Sequence, residues 1–254
     1  MNDWNLFETS YETVRNTPYE VAVLPVGACE PHNLHLPYGT DAISVQAVAA
    51  AACKQASIQG AQVCLLPTIP YGINENTLAF PMTMSIRPST LFAFIGDLVR
   101  CLEAHGVKKM VLVNGHGGNE FKPLLRELCT KHAVHVFLID WWQAAKEAGA
   151  SIFERKGEHG DEMETSLLMH LRPELVDLPS ADDGAIYPSR LDAVNDGTAW
   201  LARPWNLLTK NSGYGDPSLA TPEKGERFMG ACVEKIAAFL LQLSSEPVDE
   251  AFPY

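Results

Sequence analysis

Apolar, β-branched runs that stop at a glycine or a polar loop, each followed by a helical pattern, recur along the first half of this chain and constrain its fold more than any other feature. Residues 21–27, VAVLPVG, are apolar without interruption and read as a strand buried on both faces. The polar segment after it, residues 28–41 (ACEPHNLHLPYGTD), is too long for a mere turn. An Ala-rich helical pattern follows over 42–58, with Thr40 or Asp41 placed to cap it.

The same order returns twice. QVCLLPTIPYG (62–72) reads as a second strand, NENTLAFPMTMSIRP as a second long loop, and Leu91, Phe94, Ile95, Leu98, Val99 and Leu102 recur at helical spacing up to Gly106. KKMVLVN (108–114) runs straight into GHGGNE, with Phe121, Leu124, Leu125 and Leu128 marking the next helix. A fourth strand, VHVFLID, ends at Trp141 and Trp142. Residues 172–220 lack such order and read as an excursion over the sheet edge or a subunit contact. A last helix, from about Pro222 to Leu243, carries Met229, Val233, Ile236, Leu240 and Leu243 on one stripe. The expectation is one domain, 1–254, of class α/β with a mainly parallel central sheet, whose chemistry gathers at the carboxyl ends of the strands.

Composition narrows the function. The chain carries 31 acidic against 19 basic side chains, a formal net charge of −12, with no Lys/Arg track for phosphates, so no nucleic-acid or membrane partner is expected. No apolar stretch approaches the ~20 residues of a spanning helix, and no secretory signal is visible at the N-terminus. Cysteines 29, 53, 64, 101, 129 and 232 form no CxxC pair, which suits a reducing cytoplasm.

Three polar clusters carry chemistry. Glu30 and His32 are two residues apart, so in an extended segment they project to one side, and Asp41 returns at the helix start where its carboxylate can bridge two ions. Mixed imidazole and carboxylate ligands suit Zn²⁺, Mn²⁺ or Fe²⁺. The alternative is a loop whose Glu and His only cap a helix or meet solvent. Residues 114–119, NGHGGN, place His116 where a strand passes into a helix, with glycines that let backbone approach a ligand. In 158–166, EHGDEMETS, Glu164 shares a helical stripe with Leu167, Leu168 and Leu171, and a carboxylate there needs a cation, either a metal or Arg172.

Together these clusters resemble the creatininase family. Its first motif, roughly G-x-x-E-x-H-x-x-H-L-P-x-G-T-D, is matched by Gly27, Glu30, His32, His35, Leu36, Pro37, Gly39, Thr40 and Asp41; N-G-H-G-G-N is matched by 114–119, and H-x-G-E-M-E-T-S is close to 159–166. The resemblance implies a three-layer α/β/α domain, a homo-oligomer (a hexamer), a small-molecule substrate, and two divalent metals per chain held by Glu30, His32, Asp41 and His116. A Glu that follows the motif histidine by two residues in creatininase is Gly118 here, and Glu164 is expected to supply the missing ligand. Metal-activated water would attack the substrate carbonyl, with His159 shuttling the proton. Asn74, Glu75, Asn76, Trp142, Gly117 and Gly118 would shape the pocket, and His35 and Asn119 would support the ligands from behind.

Departures from the family matter for the substrate. Arg155 stands where creatininase has a mobile-loop Trp, and Asn76 and Met82 replace a His and a Gly of the 71–83 segment. Creatinine is therefore not the expected substrate. The leading reading is hydrolysis of a C–N bond in a small cyclic amide or formamide. Hydrolysis of an oxidised cyclic polyol and a non-catalytic metal- or ligand-binding protein remain as alternatives.

Overall fold

The computed structural model describes residues 3–254. Four parallel strands, β1 (Val21–Val26), β2 (Val63–Leu65), β3 (Lys109–Asn114) and β4 (His135–Asp140), form a sheet in the order β2-β1-β3-β4. β1 and β3 are central and buried throughout, as their unbroken apolar runs require. β2 is far shorter than the 62–72 run suggests. Pro67 and Pro70 lack the N–H groups a ladder needs, and beyond Leu65 only isolated bridges continue, Val26 to Ile69 and Gly72 to Ser85.

The period-two alternation of the strands divides the core. Val21, Val23, Val111 and Val113 face one layer, where they pack with α1 (Thr40–Ile58) and α6 (Pro222–Ser245). Leu24, Val26, Met110 and Leu112 face the other, against α2 (Pro88–Ala104) and α3 (Lys122–Leu128). Helices on both faces make the three-layer α/β/α arrangement. α4 (Lys146–Ile152) and α5 (Glu162–Leu171) complete the first layer.

Helix ends follow their chemistry. α1 begins one residue earlier than a cap at Thr40 would allow and two earlier than a cap at Asp41, with Gly39 as N-cap, so the Asp41 carboxylate lies in the first turn and is free for other use. α2 opens with Pro88 in its first turn and stops before Gly106, whose φ of +76° only glycine adopts cheaply. α6 is long and apolar enough by composition to pass as a membrane span. Its Phe228, Cys232, Ile236, Ala237 and Leu240 are instead buried against the sheet and α1, which is the pattern of a core helix.

Candidate metal centre

The carboxyl ends of β1 and β3 bring the polar clusters together. The loop after β1 supplies Glu30 and His32, the first turn of α1 supplies Asp41, the loop after β3 supplies His116, and the first turn of α5 supplies Glu164. Glu30, His32, Asp41 and His116 are each no more than 6% exposed. Glu164 is held by Asp161, the N-cap of α5, whose side chain accepts from the Glu164 N–H, while Glu164 Oε2 accepts from Gly160 N–H at 2.5 Å. Arg172, the other cation considered for Glu164, pairs with Glu174 instead.

Three imidazoles are oriented in the same way. His32 Nδ1 donates to Glu30 O (3.0 Å), His116 Nε2 to Ile73 O (3.1 Å) and His159 Nε2 to Pro31 O (2.7 Å). Because a carbonyl can only accept, the facing ring nitrogen carries the proton and the other is left with its lone pair turned inward. His32 Nε2 lies 3.0 Å from Asp41 Oδ1 and 3.9 Å from Glu164 Oε1. His116 Nδ1 lies 3.0 Å from Glu30 Oε1 and 3.2 Å from Asp41 Oδ2. His159 Nδ1 is 3.8 Å from Glu30 Oε1.

The electrostatics ask for positive charge at the centre. Burial opposes a charged His32, yet Asp41 and then Glu164 outweigh it and raise its pKa to about 10. His116 is likewise raised against burial, by Glu30 and Asp41. Against its own burial, Glu30 is lowered to about 2 by His116 and His159, and Asp41 is lowered by His32. For Glu164 burial outweighs the His32 charge, and with Asp41 and Asp161 nearby its pKa is pushed up to about 8.

A metal fits this donor set. Asp41 Oδ2 is buried and makes no hydrogen bond, an orphaned acceptor that a cation would satisfy. Ligand atoms of Glu30, Asp41 and His116 lie within 4.8 Å of one another, as do those of His32, Asp41 and Glu164, so Asp41 is common to both groups. A third group joins Glu30, His32 and His159. An ideal Cβ on Gly118 would meet His116 Nε2 and lie 2.5 Å from Ile73 O, so no side chain at this position reaches the centre without displacing the bond that orients His116.

Around these groups the remaining residues divide. Asn119 ties the loops together, accepting from Ile73 N–H (3.0 Å) and donating to Gly27 O (3.3 Å) and Asn114 Oδ1 (3.2 Å). His35 is buried and bonded to Thr165 Oγ1 (2.7 Å), linking the β1 loop to α5; burial and the His32 charge lower its pKa to about 4. Glu75, Asn76, Trp142, Gly117 and Gly118 line a cavity of about 570 Å³ over the centre. Asn74 turns inward and does not line it: its Nδ2 donates to Cys29 O (3.2 Å) and Met84 O (2.8 Å).

Some contributors were not singled out from the sequence. Thr77 Oγ1 donates to Glu30 Oε2 (2.7 Å), fixing the second oxygen of that carboxylate. Its place in the 71–83 motif was the available signal. Trp205, from the irregular 172–220 segment, packs edge-on against the His159 ring at 4.9 Å, and no local pattern marks it.

The family model described as Creatininase, creatinine amidohydrolase, matches residues 7–240. A creatinine amidohydrolase of Pseudomonas putida is 31% identical over 242 residues, covering 85% of this chain and 87% of that protein. A mycofactocin precursor peptide peptidase of Mycobacterium ulcerans (strain Agy99) is 30% identical over 227 residues, covering 85% and 84%. Among solved structures, a Bacteroides fragilis protein assigned as a creatinine amidohydrolase superposes with a TM-score of 0.91 at 35% identity over 98% of this chain and 100% of that one. A glutamate-to-glutamine variant of creatininase, of Zn–Zn type, gives a TM-score of 0.79 at 25% identity over 97% and 100%.

Proposed function

This chain belongs to the creatininase family of metal-dependent hydrolases, and on that premise we propose that it hydrolyses the C–N bond of a cyclic amide or a formamide with a water activated at a two-metal centre. The observation that carries this reading is the common orientation of three imidazoles, each pinned by a backbone carbonyl and each turning its free nitrogen toward shared carboxylates.

Glu30, Asp41 and His116 would hold one cation, and His32, Asp41 and Glu164 the other, with Asp41 between them. Glu164 thus takes the place of the carboxylate that Gly118 cannot provide. The donor chemistry suits Zn²⁺, Mn²⁺ or Fe²⁺. Bound there, such ions supply an acidified water and a Lewis acid for the substrate carbonyl.

The protein's own groups manage the proton. Burial and the neighbouring His32 charge lower the His159 pKa to about 4, so its imidazole is neutral and Nδ1 is an acceptor. As water adds to the carbonyl carbon, Nδ1 takes its proton, then returns it to the departing nitrogen as the C–N bond breaks. An amide nitrogen leaves only as an amine, which makes that return necessary. Trp205 and the Pro31 carbonyl keep the ring from turning.

The relatives act, by their names, on creatinine and on a precursor peptide, and both activities cut C–N bonds. The test is the appearance of new amine and carboxylate groups, on one ring-opened product from cyclic amides or as amine and formate from formamides, with protein loaded with Zn²⁺ or Mn²⁺. Amine and carboxylate groups formed in equal number, and lost on chelation, support the reading; metal-loaded protein silent across the panel favours a binding protein.

A further inference from the structure

The cavity over the metal centre is larger than the reacting unit needs, and its far wall comes from the irregular segment 200–205. At about 570 Å³ it falls within the roughly 300–1,000 Å³ that enclose drug-sized ligands. Its floor is the cluster of carboxylates and imidazoles already described. Its wall is apolar and aromatic, built by Trp142, Trp200, Leu201 and Trp205.

Two of these residues differ in a telling way. Trp205 is 6% exposed and held from several sides: its backbone N–H donates to Asn76 O (3.0 Å), its ring meets His159, and the Arg203 guanidinium lies 5.7 Å from its centroid. Arg203 is held in turn by Glu158 at 2.6 Å, so the wall is tied to the loop that carries His159. Trp200 lines the same cavity yet is 86% exposed. A large aromatic face open to solvent and continuous with a reaction centre gains most by covering itself with ligand.

We propose that the scissile amide is carried on an extended apolar or aromatic group, which lies along Trp205, Leu201 and Trp200 away from the metal centre. This rests on the amide-hydrolase reading and names the body of the substrate rather than its reacting bond. Trp205 and Trp200 are then specificity-determining residues: the first fixes the start of the channel beside His159, and the second closes over the far end of the ligand. A compact ring alone would fill the floor and leave this wall bare.

Two hydroxamates separate this proposal from the reading beneath it, since a hydroxamate chelates the metal whatever the protein's natural reaction. Acetohydroxamate probes the floor, and 4-phenylbutanohydroxamate adds an aromatic tail. Binding to the Zn-loaded full chain is measured by calorimetry, with the mass in solution followed by light scattering. The tail is expected to tighten binding by about tenfold or more, and Trp200→Ala to remove most of that gain while acetohydroxamate affinity stays within about twofold. Trp205→Phe, which keeps an aromatic ring beside His159, is expected to weaken the longer ligand less than Trp200→Ala does. Equal affinities for the two ligands overturn the proposal. So does a Trp200→Ala protein that loses mass in solution with no change in either affinity, because a second copy of the chain is then what covers that indole. Failure of both ligands to bind the loaded protein removes the metal-centre reading and this proposal with it.

Discussion

The imidazole of His159 stacks on that of His32, with ring centroids 4.0 Å apart and planes inclined by 27°. Two rings so close cannot both carry a charge cheaply, and they are driven apart: the carboxylates beside His32 raise it to about 10, while burial and that same neighbour lower His159 to about 4. The carboxylates beside His32 Nε2 thus favour a cation at that nitrogen, a place a metal would take from the proton, whereas the His159 imidazole is neutral and suited to exchange a proton. His159→Gln is expected to retain its metal and its fold while turnover falls by about 10²–10⁴-fold. Elemental analysis beside a turnover assay checks this, and unchanged turnover would remove the proton-transfer role.

Adjacent glycines of the NGHGGN turn should respond oppositely to one methyl group. A Cβ on Gly117 meets nothing within 4 Å, so Gly117→Ala is expected to change stability by no more than about 0.5 kcal/mol and to leave metal affinity intact. A Cβ on Gly118 strikes His116 Nε2, which must then give up Ile73 O. Loss of that orienting bond is expected to weaken metal binding by about 10–100-fold. Competition with a fluorescent chelator measures both variants.

Glu162, two positions before Glu164, has a different task. It is fully buried, its Oε2 accepts from Glu154 N–H (2.9 Å) and Arg155 N–H (2.7 Å), and its Oε1 accepts from Lys224 Nζ (2.5 Å). It pins the loop that leads to His159. Glu162→Gln sets an amide where the Lys224 ammonium or the two N–H groups need an acceptor, at a cost of about 3–5 kcal/mol. The direct readout is trypsin cleavage after Arg155 or Lys156, both exposed: cleavage should accelerate well beyond any change in global unfolding, and an unchanged rate would contradict the pinning role.

Lys109 offers a control far from the chemistry. It begins β3, at the opposite end from the metal centre, and is 1% exposed, yet its ammonium donates to Leu243 O (2.8 Å) and Glu246 O (2.6 Å). These carbonyls close the C-terminus of α6, where a cation also meets the helix dipole favourably. Lys109→Met leaves the buried Leu243 carbonyl without this donor and is expected to cost about 1–3 kcal/mol. A urea titration should show the lost stability, with metal content per folded chain unchanged.

Legibility from sequence followed periodicity and spacing. The buried strands declared themselves because VAVLPV and KMVLVN are apolar at every position, which suits only a sheet covered on both faces. The cluster of Glu30, His32, Asp41 and His116 was legible because each residue lies just beyond a strand or at a helix start, where parallel sheets collect their ligands. Other features depend on packing that spacing does not encode. Asn74 and Asn76 are equally polar in the sequence, but only the Cys29 and Met84 carbonyls that the fold brings within reach of its amide explain why Asn74 turns away from the cavity. Glu162 and Glu164 share one motif, and their different partners follow from which face of α5 each occupies. Trp200 and Trp205 lie in a segment with neither period, so the contact of Trp205 with His159 and the place of Trp200 on the same cavity are products of tertiary structure alone.

Asp41 is common to both ligand groups, so the account's central claim rests on it. The most direct test is metal content per chain, by elemental analysis, of wild type and Asp41→Ala purified after loading with Zn²⁺ or Mn²⁺. Two metals per wild-type chain and none or a trace in the variant, with the folded state retained, is the predicted result. Full occupancy in Asp41→Ala, or no metal in the wild type under any loading condition, would contradict it.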